Sequence, residues 1–246
     1  MNKRENFSLP ESERKIITFE DIIDPEREVP EKYQRLIHLQ EQRVDNNTRF
    51  NKTGYAANWG PLMDTNGMGK ETKFAKQELQ YLKDHLMNQA LVDLGGGYGF
   101  MRHLIRLTGA QMYVNVDRRQ STQNQELNPL QSTKMVDPVD KESALNEVNV
   151  YADMLDFVAH LKDGSANFVL NGIDITIIND PAYHKALANE LVRATKANGL
   201  IFGVGSDALE ILHRQIVERS SDLKRHNLPP KLIELMSGIE YYIFEK

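Results

Sequence analysis

At 246 residues and 28.2 kDa the chain is long enough for one α/β domain with a cap and marginal for two. It has no cysteine, which excludes a disulfide, a thiolate nucleophile and a cysteine zinc site, and no other metal site is expected. A net charge of −5 without a basic run weighs against broad nucleic-acid binding, which needs clustered Lys and Arg to neutralise phosphates.

No apolar run approaches the roughly 20 residues needed to span a bilayer. Met1 to Asn6 leads into no apolar core of the signal-peptide kind, so the expectation is a cytoplasmic protein without a membrane partner.

Residues 1–30 are polar and acid-rich, broken by Pro10, Pro25 and Pro30, and read as an arm or the edge of a cap. From Pro30 to about Gln42, the spacing of Tyr33, Leu36, Ile37 and Leu39 predicts one side of a short helix. Asp45 to Gly69 is irregular, with Tyr55, Trp59, Leu62 and Met63 among Asn, Gly, Thr and Pro. A loop carrying such large apolar side chains must bury them, either on the domain or as a lid over a ligand. Tyr55 and Trp59 are the lid candidates. Lys70 to Asn88 is the clearest helix, with Phe74, Leu79, Leu82 and Leu86 near one face.

The next stretch, Leu91-Val92-Asp93-Leu94-Gly95-Gly96-Gly97-Tyr98-Gly99-Phe100, predicts a buried strand turning sharply into a helix over Met101 to Thr108. Glycine lacks a Cβ, so a ligand can lie against bare backbone. The dinucleotide fingerprint Gly-x-Gly-x-x-Gly does not fit: a frame starting at Gly95 ends on Phe100, and one starting at Gly97 ends on Arg102. What fits is acid-x-Gly-x-Gly-x-Gly, with Asp93, Gly95, Gly97 and Gly99. An anionic side chain there would repel a pyrophosphate and suit a ligand carrying an ammonium and a sulfonium. The pattern resembles motif I of the class I S-adenosylmethionine-dependent methyltransferases.

Gln111 to Asp117 alternates like a short strand and ends in an acid eighteen residues after Gly99. A carboxylate there can accept both ribose hydroxyls, in nicotinamide enzymes as in methyltransferases. Residues 120–147 are polar and turn-rich, and a short or irregular crossover helix with a surface loop is expected. Val148 to Asp153 predicts a third strand ending in an acid, and Asn167 to Asn171 a fourth after the Asp163-Gly164-Ser165 turn. Ala182 to Ala197 predicts a helix stopped at Asn198-Gly199, and Leu200 to Val204 an apolar fifth strand. A helix carrying Leu209, Leu212, Ile216 and Val217 follows. Lys231 to Met236 and Ile239 to Phe244 flank Ser237-Gly238 like a hairpin.

From about residue 70 onward the motif order resembles small-molecule class I methyltransferases of the ubiquinone and menaquinone biosynthesis type. Leu161 to Leu170 is similar to their turn into the fourth strand, and Glu190 to Ile201 to their helix and fifth strand. The resemblance implies a Rossmann-like α/β fold: a seven-stranded, mostly parallel sheet, an antiparallel C-terminal hairpin strand, and helices on both faces. Residues 70–246 would form the cofactor domain and residues 1–69 an N-terminal arm and cap.

Carried over by position, the resemblance implies S-adenosylmethionine as cofactor. Asp93 and the backbone of Gly95, Gly97 and Gly99 would hold its methionine end. Asp117 would take the ribose, Arg118 would lie along the adenine, Asp153 would accept the adenine amino group, and the Met154 N–H would meet a ring nitrogen. Asn171 and Gly172 would face the methionine portion and the methyl. Asp153 reads equally as a helix N-cap, and Asn171 as a residue closing a strand-end turn.

Asn179-Asp180-Pro181-Ala182-Tyr183 is similar to the Asn-Pro-Pro-Tyr signature of amino-group methylases, but it also suits a helix-initiating turn. A base, if the acceptor needs one, would be His184 or His103; no catalytic residue is assigned. The expected activity is methyl transfer to a small-molecule acceptor. A nicotinamide oxidoreductase, a non-catalytic methyltransferase-like subunit, and a nucleic-acid or protein amino-group methylase are the alternatives.

Overall fold

The computed structural model describes residues 16–45, 73–118 apart from 98, 100 and 101, 127–135, 145–170, 180–204, 224–226 and 241–246, together with helical positions within 211–218. Helices α1 (Phe19–Ile22), α2 (Glu31–Asp45) and α3 (Lys73–Leu86) precede β1 (Ala90–Leu94). Then come α4 (Arg102–Thr108), β2 (Met112–Val116), β3 (Ser132–Lys134), β4 (Asn146–Val150), α5 (Met154–Ala159), β5 (Asn167–Leu170), α6 (Pro181–Ala194), β6 (Leu200–Val204), β7 (Lys224–His226) and β8 (Tyr241–Glu245).

The strands form one sheet in the order β3-β4-β2-β1-β5-β6-β8-β7. From β4 to β6 every pairing is parallel. The chain moves outward from β1 through β2 to β4, then returns to the other side of β1 with β5. The sheet's switch point therefore lies between β1 and β5, where ligands of open α/β sheets bind at the strands' carboxyl ends. β8 runs antiparallel between β6 and β7, which is the Rossmann-like, mostly parallel arrangement expected from the sequence.

One detail differs from that expectation. Among the described residues the sheet has eight strands rather than seven, because β3 adds an antiparallel edge beside β4. Nothing in the polar stretch around it signals a strand, since an edge strand needs no apolar face; Thr133 and Lys134 are exposed and Ser132 partly so. On its side away from β6, β8 pairs with Lys224–His226; the expected hairpin turn at Ser237-Gly238 and its first arm lie outside the described residues.

Alternation along the strands sends side chains to two covered faces. Val92, Leu94, Val114, Val116, Phe168 and Ile201 pack with α1, α2, α5, α6 and the helical residues Leu212 and Ile216. Leu91, Tyr113, Val169 and Leu200 pack with Leu82 and Leu86 of α3 and Ile105 of α4. β1 and β2 are buried at every position, so a polar residue within them must find a partner inside the protein.

Part of the segment expected to be a polar arm packs on the first face. Phe19, Ile22 and Ile23 are buried there, followed by Tyr33 and Ile37 of α2. Backbone bonds from Lys162 N to Ile22 O and from Asp24 N to His160 O, both 2.8 Å, tie it to the end of α5. Arg27 adds an ion pair with Asp163 at 2.9 Å.

Candidate functional site

β1 ends at the switch point in the glycine turn. Gly95, Gly97 and Gly99 adopt φ of 73°, 57° and 76°, so the alternate glycines are the left-handed positions of the turn. β2 grips this turn. Asp117 Oδ2 accepts the Gly97 N–H at 2.8 Å, and Asn115 Nδ2 donates to the Gly97 carbonyl at 3.0 Å. One residue is thus held through both its N–H and its carbonyl by two side chains of the neighbouring strand end. Gly96 answers a different demand: a Cβ there would sit 2.2 Å from Asn115 Oδ1 and 2.5 Å from Asp93 Oδ2. No side chain fits between the turn and the Asn115 and Asp93 side chains beneath it.

Beneath the turn lies a polar layer. Asp93, Asn115 and Asn149 are register partners across β1, β2 and β4, and Asn115 Nδ2 also donates to Asn149 Oδ1 at 2.9 Å. Asp93 is fully buried, and its Oδ2 accepts the Tyr113 hydroxyl at 2.6 Å. Burial, then the Asp93 charge, holds the Tyr113 hydroxyl well above the usual tyrosine range, so it remains a donor. Two residues further back, Glu147 of β4 takes a forked pair from Arg106 of α4, 2.6 Å to Nε and 2.9 Å to Nη2. This geometry gives a carboxylate two parallel charge-assisted bonds, which a buried acid requires. α4 is thereby fixed over the layer, and its N-terminus follows the glycine turn directly.

Asp117 is nearly buried, with Arg118 half-buried beside it. One strand further out, after β4, Asp153 is the N-cap of α5: its Oδ1 accepts Leu155 N at 2.9 Å and Asp156 N at 3.4 Å. The same Oδ1 accepts the Tyr183 hydroxyl of α6 at 2.8 Å. Burial pushes the Asp153 carboxyl up to about 6, against the opposing pull of the Tyr183 hydroxyl and the Arg118 charge. The N-cap reading and the site reading of Asp153 are compatible, since capping engages a single oxygen. Met154, the first residue of α5, offers a first-turn N–H that this cap does not take.

Asp93 lies within β1 one residue before its end, Asp117 and Asp153 follow β2 and β4 in turn, and the surroundings of the three differ. Asp93 has no exposed surface and braces the turn from below. Asp117 gives one oxygen to Gly97. Asn171, Gly172, Tyr55 and Trp59 lie outside the described residues. His184 is buried in the first turn of α6 at 1% exposure.

Asp180-Pro181 acts as a helix start. Asp180 caps α6 through Ala182 N at 2.9 Å and Tyr183 N at 3.4 Å, with Pro181 in the first turn. Tyr183 is 1% exposed, so its ring is not presented for stacking on an acceptor, as the amino-group methylase signature would require.

Sequence reading missed Asn115, Tyr113 and Tyr183. Asn115 had a readable signal: it is the one amide within an otherwise apolar strand of a sheet covered on both faces, where a polar group must have a partner. Tyr183 had none, because its partner lies 30 residues away on another helix.

No family model matches the chain, and no curated protein matches it. Solved structures similar to it include a proposed SAM-dependent methyltransferase from Streptococcus mutans, with a TM-score of 0.47, 14% identity, and coverage of 71% of this chain and 49% of that one. The chain thus spans about half the length of that protein. A second proposed methyltransferase from Streptococcus mutans, in complex with SAH, gives 0.47, 11%, 71% and 98%. An rRNA methylase from Streptococcus thermophilus gives 0.47, 11%, 72% and 98%. At such scores the likeness carries no functional weight, and the chemistry is read from the site's own residues.

Proposed function

We propose that the chain is an S-adenosylmethionine-dependent methyltransferase with a small-molecule acceptor, in which residues 70–246 hold the cofactor and residues 1–69 supply a cap. The observation that carries this reading is the Gly97 backbone, its N–H and its carbonyl clasped between Asp117 and Asn115 at the switch point. Such a clasp keeps a ligand-facing backbone in one conformation before the ligand arrives, which lowers the ordering cost of binding.

The donor set suits the cofactor. Bare backbone at Gly95, Gly97 and Gly99 admits the methionine portion, Asp117 offers acceptor capacity to ribose hydroxyls, and Asp153 offers it to an adenine amino group with Met154 N–H alongside. Arg118 would flank the adenine, and Asn171 and Gly172 would meet the methyl-bearing end. Asp93 acts on the ligand through the turn that it supports, with Tyr113 fixing its carboxylate.

When bound, the cofactor supplies a methyl already activated by a positively charged sulfur. The chain's own contribution is then alignment of the acceptor and exclusion of water. Positioning of this kind can account for about 7–11 kcal/mol of a barrier without a dedicated catalytic group. Tyr55 and Trp59 are the proposed acceptor-side lid residues, and His184 or His103 the proposed base where the acceptor needs one. The cytoplasm is the proposed location; among the described residues no helix is long and apolar enough to cross a membrane.

Titration calorimetry with S-adenosylmethionine, its demethylated product and NAD tests the reading. Heat with the first two and none with NAD is the expected result. Heat with NAD alone would instead assign a nicotinamide oxidoreductase. Binding without methyl transfer to any small-molecule fraction of a cell extract would assign a non-catalytic subunit.

A further inference from the structure

Asp153 is 3% exposed, yet its three hydrogen-bond donors all converge on one oxygen. Leu155 N and Asp156 N reach Oδ1 from α5, and the Tyr183 hydroxyl reaches it from α6. The same hydroxyl accepts Leu155 N at 3.2 Å, so it lies within the cap rather than beside it. Among the described residues Oδ2 receives no hydrogen bond. The carboxylate is therefore anchored at one end and open at the other.

The geometry points to Tyr183 as a positioning residue for cofactor binding: its hydroxyl fixes the Asp153 carboxylate so that Oδ2 is offered to the adenine amino group. This rests on the functional reading above and adds a residue from α6 to the site. It also links the cofactor pocket to the start of α6, where Asp180 caps the helix and meets Arg43 of α2 at 3.4 Å. The groups facing Asp153 are the Tyr183 hydroxyl from α6, the Arg118 charge after β2 and the first-turn N–H groups of α5. Loss of the hydroxyl removes one influence that favours the ionised carboxyl.

The test measures binding of S-adenosylhomocysteine from pH 5 to 8 for wild type, Tyr183→Phe, Asp153→Asn and the double variant. The carboxyl ¹³C resonance of Asp153 is titrated in the ligand-free wild type and Tyr183→Phe. Tyr183→Phe should bind on the order of tenfold more weakly, the scale of one charge-assisted hydrogen bond. Its binding midpoint and its Asp153 titration should both move to higher pH. In Asp153→Asn the cap retains the carbonyl oxygen, so an amide NH₂ replaces Oδ2, binding falls, and adding Tyr183→Phe costs little more.

Wild-type binding together with an unchanged Tyr183→Phe affinity and pH profile overturns this inference alone. So would a stability loss in Tyr183→Phe that leaves the carboxyl titration where it was. A wild-type chain that binds no S-adenosylhomocysteine overturns the functional reading, and this inference with it.

Discussion

Tyr113 of β2 donates its hydroxyl to Asp93 of β1 at 2.6 Å, and both residues are fully buried. The acid of the glycine motif is thus part of the protein interior, and the sheet provides for its charge from the adjacent strand. Tyr113→Phe would remove that donor and leave the ring packing intact. Hydrogen bonds to charged groups contribute roughly 1.5–3 kcal/mol, so the variant should lose stability of that order. Urea unfolding at pH 7.5 checks this; a loss below about 0.5 kcal/mol would mean that the hydroxyl contributes little to holding Asp93.

Gly96 is the tightest position of the turn. The Cβ of an alanine would press on Asn115 Oδ1 at 2.2 Å and on Asp93 Oδ2 at 2.5 Å, and both neighbours belong to the buried polar layer. Overpacking of this kind costs about 1–3 kcal/mol. Displacing Asn115 would also loosen its bond to the Gly97 carbonyl. Gly96→Ala should therefore lose both stability and cofactor affinity. A crystal structure of the variant should find Asn115 moved off Gly97, and an unmoved Asn115 would contradict this account.

The frame of the molecule was legible in the sequence because it is written in local patterns. The apolar run of β1, the spaced glycines and the acids in β1 and after β2 and β4 are all contiguous signals, and the switch point follows from their order. The clasp was less legible, since Asn115 and Asp117 meet Gly97 only after two parallel strands align. The Arg106–Glu147 pair, 41 residues apart, and the Tyr183–Asp153 bond were not legible, because tertiary packing alone creates them. The docking of residues 16–30 escaped for a related reason. Phe19, Ile22 and Ile23 are too few to give a period, and their burial depends on the end of α5.

Glu147 is a sensitive point of the α4 face. Its forked bond to Arg106 is partly buried and Arg102 lies 3.8 Å away, so Glu147→Gln would remove the carboxylate charge that both guanidiniums face. Breaking a buried pair from one side costs about 3–5 kcal/mol. The double change Glu147→Gln with Arg106→Met should recover part of that loss. Thermal unfolding of the two single variants and the double variant measures the coupling, and strictly additive losses would show that the pair is not a unit.

Asp117 has two tasks in this structure, and one substitution tests both. Asp117→Ala removes the acceptor of the Gly97 N–H and the carboxylate proposed for the ribose. Affinity for S-adenosylmethionine should fall by about 1.5–3 kcal/mol, the loss of charge-assisted bonds. Asp117→Asn retains a carbonyl oxygen for Gly97 and loses the charge, so it should fall between wild type and alanine. Equal losses in the two variants would mean that the charge carries the whole effect and the clasp none.

Asp153 gives stability a pH dependence of a definite sign. Its carboxyl titrates at about 6 in the folded chain, raised from 3.8 mainly by burial. Between those values the folded state retains a proton that the unfolded state has released, so stability falls as pH rises. The contribution is fully present below about pH 4 and is lost as pH passes through about 6. A shift of roughly two units corresponds to about 3 kcal/mol. Asparagine also caps helices well and does not titrate, so Asp153→Asn should lack this contribution. Relative to wild type, the variant should gain stability by about 3 kcal/mol between pH 4 and pH 7.5, measured as urea unfolding at several intermediate pH values. A difference that stays flat across that range would mean that Asp153 is ionised at little cost, through water or through the Arg118 charge.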